Sequence, residues 1–175
     1  ADAGRATEAL VREAGGEVLF IETDVRNEES VKRAVALTLE RFGKLDVLYN
    51  VAGGSRAEDG FVTEVDLEVW QATMTLDVLG PMLCCRHAIP CIIEAGGGAV
   101  VNMSSGAALR GASPAHVYTA AKGAIISLTR ALAGAYAKEN VRVNAICAGR
   151  ILTERIMSRY GTPDKAGPVV DRQDA

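Results

Sequence analysis

The chain has 175 residues, one domain's worth of sequence and long enough to bury a core. Its net charge is −3 with no basic block, which gives no sign of a nucleic-acid binder. No apolar run approaches the roughly 18 residues of a membrane span, and the opening residues do not read as a signal peptide.

The first helix is expected from Ala6 to Ala14, stopped by Gly15 and Gly16. Glu17 to Glu22 reads as a short apolar strand followed by Thr23, Asp24 and Val25. Glu28 to Phe42 is an amphipathic helix, with Val31, Val35, Leu39 and Phe42 on one stripe and Gly43 as its stop. Leu45 to Tyr49 is a second strand, closed by Asn50-Val51-Ala52-Gly53-Gly54, and Ser55 to Val62 is a polar loop. Asp66 is the expected N-cap of a long helix reaching about Ala95, with Pro81 and Pro90 as its expected bends. After Gly96-Gly97-Gly98, a third strand runs from Ala99 to Met103. Pro114 opens a helix to about Lys138, Val141 to Ile146 is a fourth strand, and the tail from Ile151 is polar and less regular.

Short, β-branched, nearly continuous apolar strands alternating with helices predict an α/β fold. Its sheet is parallel with both faces covered. Such sheets bind ligands at the carboxyl ends of their strands. Asp24, Asn50 to Gly54, Ser104-Ser105, and Ala148 to Thr153 all follow strands and converge on that edge.

Three residues at that edge carry a chemistry. Tyr118 lies thirteen residues after Ser105, and Lys122 four residues after Tyr118. On a helix, phenol and ammonium share one face. A nearby ammonium stabilises phenolate, which makes the tyrosine a proton donor and acceptor usable near neutral pH. A serine hydroxyl at a strand end could hold a substrate oxygen beside it. Ser104 is the rival of Ser105. The spacing to the tyrosine favours Ser105, and Ser104 then points to the opposite side of the strand.

Taken together, Asp24-Val25, Asn50-Val51-Ala52-Gly53, Asn102-Met103-Ser104-Ser105, Tyr118-x-x-x-Lys122 and Val143-Asn144-Ala145 leading to Gly149-x-Ile151-x-Thr153 resemble the short-chain dehydrogenase/reductase family. The resemblance covers nearly the whole chain. It implies a doubly wound, Rossmann-like parallel sheet and an enzyme that interconverts an alcohol and a ketone with NAD or NADP. In that reading Tyr118 is the general acid and base, and Lys122 tunes it and holds the nicotinamide ribose. Ser105 binds the substrate oxygen. Asp24 and Val25 meet the adenine, Asn50, Ala52 and Gly53 line the cofactor, and Gly149, Ile151 and Thr153 lie toward the carboxamide end. A homodimer or homotetramer is also implied, because the family commonly pairs its long helices between subunits.

The chain departs from the family pattern in several places. The family's opening strand, Gly-rich turn, helix and second strand have no counterpart here, and its last strand is also missing. The expected fold is therefore incomplete, a piece of a longer polypeptide with a gap at the sheet's centre between the Val18 and Leu45 strands. NAD versus NADP preference is normally set in those absent parts. Asp77 stands where the family has Asn, and it joins Ser105, Tyr118 and Lys122 as an expected catalytic residue whose missing NH₂ donor puts a proton relay in doubt. Ala148 and Val51 replace a family Pro and a second Asn.

Other readings are weaker. Gly53-Gly54-Ser55-Arg56-Ala57 nearly spells a hydrolase nucleophile elbow, but the last Gly is Ala and a polar loop follows. His87 with Cys84 and Cys91 has chelating helical spacing, yet reads as a core or interface face. His116 reads as a helix-start residue. The cysteines Cys84, Cys85, Cys91 and Cys147 form no C-x-x-C and read as free thiols in a reducing cytoplasm. Small-molecule turnover is one class of function. The other is a non-catalytic relative that keeps the fold for binding or assembly.

Overall fold

The computed structural model describes residues 2–111, 113–149, 151 and 157. Helix α1 is Asp2–Glu13 and α2 is Glu28–Phe42. Asn27 caps α2 by accepting the Ser30 N–H, and Gly43 ends it in the left-handed conformation with its N–H on the Leu39 carbonyl. Glu28 and Glu29 in the first turn and Arg41 in the last complement the helix dipole.

Strand β1 (Val47–Asn50), β2 (Gly98–Ser105) and β3 (Val141–Ala148) form one parallel sheet in the order β1-β2-β3. Asn50 pairs with Asn102, and Ser105 with Ala148, so the carboxyl ends of the three strands lie along one edge. Both serines belong to β2, which runs two residues further than the sequence reading, and β3 likewise extends to Ala148.

The expected strand at Glu17 to Glu22 is not one. The segment belongs to no ladder among the described residues. Its Phe20 N–H goes instead to the Glu8 carboxylate, and the Glu22 carbonyl accepts from Arg33. An apolar run becomes a strand only where a neighbour takes its backbone groups. None of the described strands lies beside it.

The helix expected from Asp66 to Ala95 is continuous but changes pitch. Helix α3 (Leu67–Met74) passes through a π-helical turn, Thr75–Leu79, into α4 (Gly80–Glu94). The irregularity therefore falls in the turn just before Pro81. Pro81 has no N–H to give the Asp77 carbonyl four residues back, and Pro90 lies within the regular part of the helix. Asp66 occupies the N-cap position without a side-chain bond. Residues 67–94 are long enough, and one 18-residue stretch within them apolar enough at mean hydropathy 1.4, to span a membrane by length and composition alone, more than the sequence reading allowed. Here the stretch is a core helix: Leu83, Cys85, Ala88, Ile89 and Ile92 are buried, the last four against Val100, Val141 and Val143 of the sheet.

Helix α5 (His116–Tyr136) packs against β2 and β3. It buries Val117, Ala121, Lys122, Ile125 and Thr129. The sheet face carrying Val100, Asn102 and Ser104 is thus covered. On the opposite face, Val47, Tyr49 and Ile146 remain exposed, so the expected covering of both faces is met on one side among the described residues.

Candidate active site

Helix α5 places Tyr118 and Lys122 one turn apart, with the Lys122 ammonium 5.6 Å from the Tyr118 ring centroid. Lys122 is only 5% exposed. Its Nζ donates to the Met103 carbonyl at 3.0 Å and forms an ion pair with Asp77 Oδ1 at 2.9 Å. Ser104 Oγ donates to the Lys122 carbonyl at 2.8 Å. The end of β2 thus grips this turn of α5 through both the side chain and the backbone of Lys122.

Asp77 is fully buried, and its Oδ1 also accepts the Gly54 N–H at 2.9 Å. Its Oδ2 has no hydrogen-bond partner among the described residues. The π-helical turn presents this carboxylate, and the backbone after β1 closes on it. Gly53 has φ 145°, and a Cβ there would collide with Asp77 Oδ1. Glycine at 53 is therefore dictated by the carboxylate at 77.

Ser105 ends β2 and opens a 3₁₀ turn, Gly106–Leu109, its Oγ accepting the Ala107 N–H at 3.2 Å. That turn packs against α5. No hydrogen bond joins Ser105 to Tyr118 among the described residues. Ser104 lies on the opposite strand face and is buried.

The Asn50 side chain turns inward. Its Nδ2 donates to Asn102 Oδ1 at 2.8 Å, and Asn102 Nδ2 donates to Thr129 Oγ1 at 3.0 Å. What Asn50 presents at the sheet edge is backbone, while Val51, Ala52 and Gly53 beyond it are exposed. Asp24 is exposed and held in a two-pronged pair by Arg26, at 2.9 and 2.8 Å. The hydrogen bonds from Arg26 pull the Asp24 carboxyl down to about 2. Val25 packs under Gly80. Gly149 and Ile151 are exposed beyond β3, and Thr153 lies outside the described residues.

No group of three His, Cys, Asp or Glu side chains that could hold a metal occurs among the described residues. His87 Nε2 is instead 2.9 Å from Glu28 Oε1, which ties α4 to α2.

Sequence reasoning missed Asp59. Its carboxylate accepts the backbone N–H groups of Val117 and Tyr118, at 3.1 and 2.8 Å. The available signal was negative: Ala115, at the N-cap of α5, has no side chain able to cap it.

The family profile described as Enoyl-(Acyl carrier protein) reductase matches residues 1–173. The chain belongs to the short-chain dehydrogenase/reductase family. An uncharacterized oxidoreductase of Thermotoga maritima is 38% identical over 165 residues, 94% of this chain and 62% of that protein. The 2-(R)-hydroxypropyl-CoM dehydrogenase of Xanthobacter autotrophicus is 36% identical, over 89% of this chain and 62% of its own length. A short-chain dehydrogenase/reductase structure from Burkholderia xenovorans superposes with TM-score 0.82 at 35% identity, covering 89% of this chain and 59% of that one. The structure of ElxO with NADP bound has TM-score 0.77 and 33% identity, over 81% and 56% of the two chains. The chain thus spans about three fifths of the length of the relatives it matches. Membership makes it part of a family of oxidoreductases with a Rossmann-like α/β fold.

Proposed function

We propose that the protein containing this chain interconverts an alcohol and a ketone by hydride transfer to and from NAD or NADP, with Tyr118 as general acid and base. The observation that carries this reading is the buried Lys122 ammonium, fixed between Asp77 and the Met103 carbonyl and lying 5.6 Å from the Tyr118 ring. A cation held there favours the phenolate over the phenol, so Tyr118 can give a proton to a forming alkoxide and take one from an alcohol. Ser105, at the end of β2, accepts the Ala107 N–H with its Oγ and keeps its own hydrogen free, so it would donate to the same substrate oxygen. Relatives named for hydroxypropyl, cyclohexadiene-diol and hydroxysteroid substrates fit an alcohol at the reacting centre.

The residues present fit one end of a dinucleotide. Gly53 and Gly54 adopt φ near 145°, and the exposed chain at Val51, Ala52 and Gly53 follows β1 at the carboxyl edge of the sheet. Tyr118, Lys122 and the backbone of Asn50, Ala52 and Gly53 would hold the nicotinamide end, with Gly149, Ile151 and Thr153 across from them. When bound, the cofactor supplies the hydride. The protein's own residues orient the substrate oxygen, exclude water from Lys122 and move the proton at the Tyr118 hydroxyl.

A glycine-rich turn leading from a strand into a helix N-terminus is not found among the described residues. We read the sheet as continued by strands outside these 175 residues. That reading is supported by the outer edge of β1 and by the apolar segment at 17–22, neither of which joins a further strand among the described residues. The complete protein is proposed to be a homodimer or homotetramer. Exposed Leu67, Trp70 and Phe61 around the start of α3 favour that state, and sedimentation tests it.

The second reading, a non-catalytic relative, is favoured by one observation: the Lys122 ammonium is already neutralised by Asp77. Fluorescence titration with NADH and NADPH, on this chain and on the longer protein, separates the two. Cofactor binding with ketone-dependent oxidation supports the enzyme. Absence of both in the longer protein supports the scaffold.

A further inference from the structure

Helix α5 carries both Tyr118 and Lys122, yet it has no cap of its own. Ala115 sits at the N-cap and offers no side-chain acceptor. The first N–H groups of a helix are normally satisfied by such a residue. Here they are met from 58 and 59 residues away in sequence, by the two oxygens of Asp59 on Val117 and Tyr118. The same loop continues the attachment. The Gly60 carbonyl accepts the His116 N–H at 3.2 Å, and the Val62 N–H donates to His116 Nδ1 at 3.0 Å. Phe61 meets the His116 ring edge-on, with centroids 5.2 Å apart. Four hydrogen bonds and one ring contact thus join residues 59–62 to the first turn of α5.

We infer that Asp59 is a positioning residue for Tyr118: its carboxylate clamps the start of α5 to the 59–62 loop and so fixes where the tyrosine stands relative to whatever that loop encloses. The inference rests on the proposed role of Tyr118. Each part has a physical reason. A carboxylate at a helix N-terminus is favoured by the dipole and by charge-assisted bonds from the backbone. One of those bonds goes to the N–H of the reacting residue itself, so a shift at Asp59 is a shift of the Tyr118 backbone. The Val62 bond requires Nδ1 of His116 to be unprotonated, so the imidazole carries its hydrogen, when neutral, on Nε2. A local serine at 115 would satisfy one of these two N–H groups but would leave the loop untied. That difference separates a cap from a clamp.

The test compares Asp59→Ala, Asp59→Asn and the double variant Asp59→Ala/Ala115→Ser in the longer protein. Hydrogen exchange at the Val117 and Tyr118 amides is read alongside steady-state turnover. Asp59→Ala is expected to speed exchange at those two amides by about tenfold or more. It is also expected to lower kcat by about tenfold or more through misplacement of the reacting group, with a smaller change in KM. Asp59→Asn, which keeps one acceptor, should fall between. In the double variant the serine should restore part of the thermal stability and protection at one of the two amides, but not kcat. Unchanged amide exchange in Asp59→Ala overturns the clamp whether or not the protein turns over. Full recovery of kcat by Ala115→Ser reduces Asp59 to a helix cap and also overturns it. A protein inert before any substitution, with amide protection lost in Asp59→Ala, instead counts against the proposed chemistry.

Discussion

Asp77 Oδ1 and Lys122 Nζ lie 2.9 Å apart at the meeting of the π-helical turn and α5, the carboxylate fully buried and the lysine nearly so. Two charges removed from water are tolerable only as a pair with further hydrogen bonds. Gly54 and the Met103 carbonyl supply these, and Asp77 Oδ2 is left without a partner. The pair ties β1's exit loop, α3–α4, β2 and α5 to one point. It also places a negative charge beside the cation that the proposed mechanism uses.

Removing that charge has two separable effects. Asp77→Asn keeps an oxygen for the Gly54 N–H and for Lys122 but leaves the ammonium uncompensated. The pH–rate profile of alcohol oxidation should then change, because the lysine's full charge acts on the proton-transfer site. Asp77→Leu removes the acceptor as well and strands a buried cation, which should destabilise the fold by about 3–5 kcal/mol. Urea unfolding measures the second effect and a pH–rate profile the first. An unmoved profile in Asp77→Asn would show that the carboxylate does not act on the tyrosine.

Cys85 is 2% exposed, and burial pushes its thiol up to about 11, slightly opposed by the Asn50 amide that contacts its sulfur. At pH 8 it should resist iodoacetamide in the folded protein and react fully in urea, since the thiolate is the nucleophile. Mass mapping of labelled peptides checks this. Rapid labelling of Cys85 without unfolding would mean that α4 opens readily from the sheet.

The tie between α2 and α4 depends on acid. The hydrogen bond from His87 holds the Glu28 carboxyl below its ordinary range, against a smaller opposing effect of desolvation. A group whose folded value is depressed contributes stability above its unfolded value of about 4.3 and loses it as pH falls through the folded one. Glu28→Gln should therefore be less stable than the parent at pH 6, with the difference vanishing as pH drops below 4. Thermal melts across that interval test the sign. A difference that grew on acidification would contradict it.

Much of the fold was legible because its elements carry strong local signals: Gly43 stops α2, and β2 and β3 are apolar runs bounded by turns. The Tyr118–Lys122 relation follows from helical spacing alone. Three features were not legible. The segment at 17–22 has the composition of a strand, but ladder membership depends on a neighbour, which composition cannot show. The π-helical turn at 75–79 was expected as a simple bend: Pro81 marks its place, but nothing in Thr-Leu-Asp-Val-Leu announces a widened turn. Asp59 was hidden because a carboxylate capping a helix from 58 residues away leaves only the silence of Ala115 as its trace.

The central claim is that Tyr118 moves the proton, and one measurement meets it directly. Ketone-dependent NAD(P)H oxidation is compared in the longer protein and in its Tyr118→Phe variant, with cofactor binding followed by fluorescence in both. The account predicts retained cofactor binding and a fall in kcat of about 10²–10⁴-fold, the scale of a lost general acid. Turnover within a few fold of the parent, at equal cofactor occupancy, would contradict it.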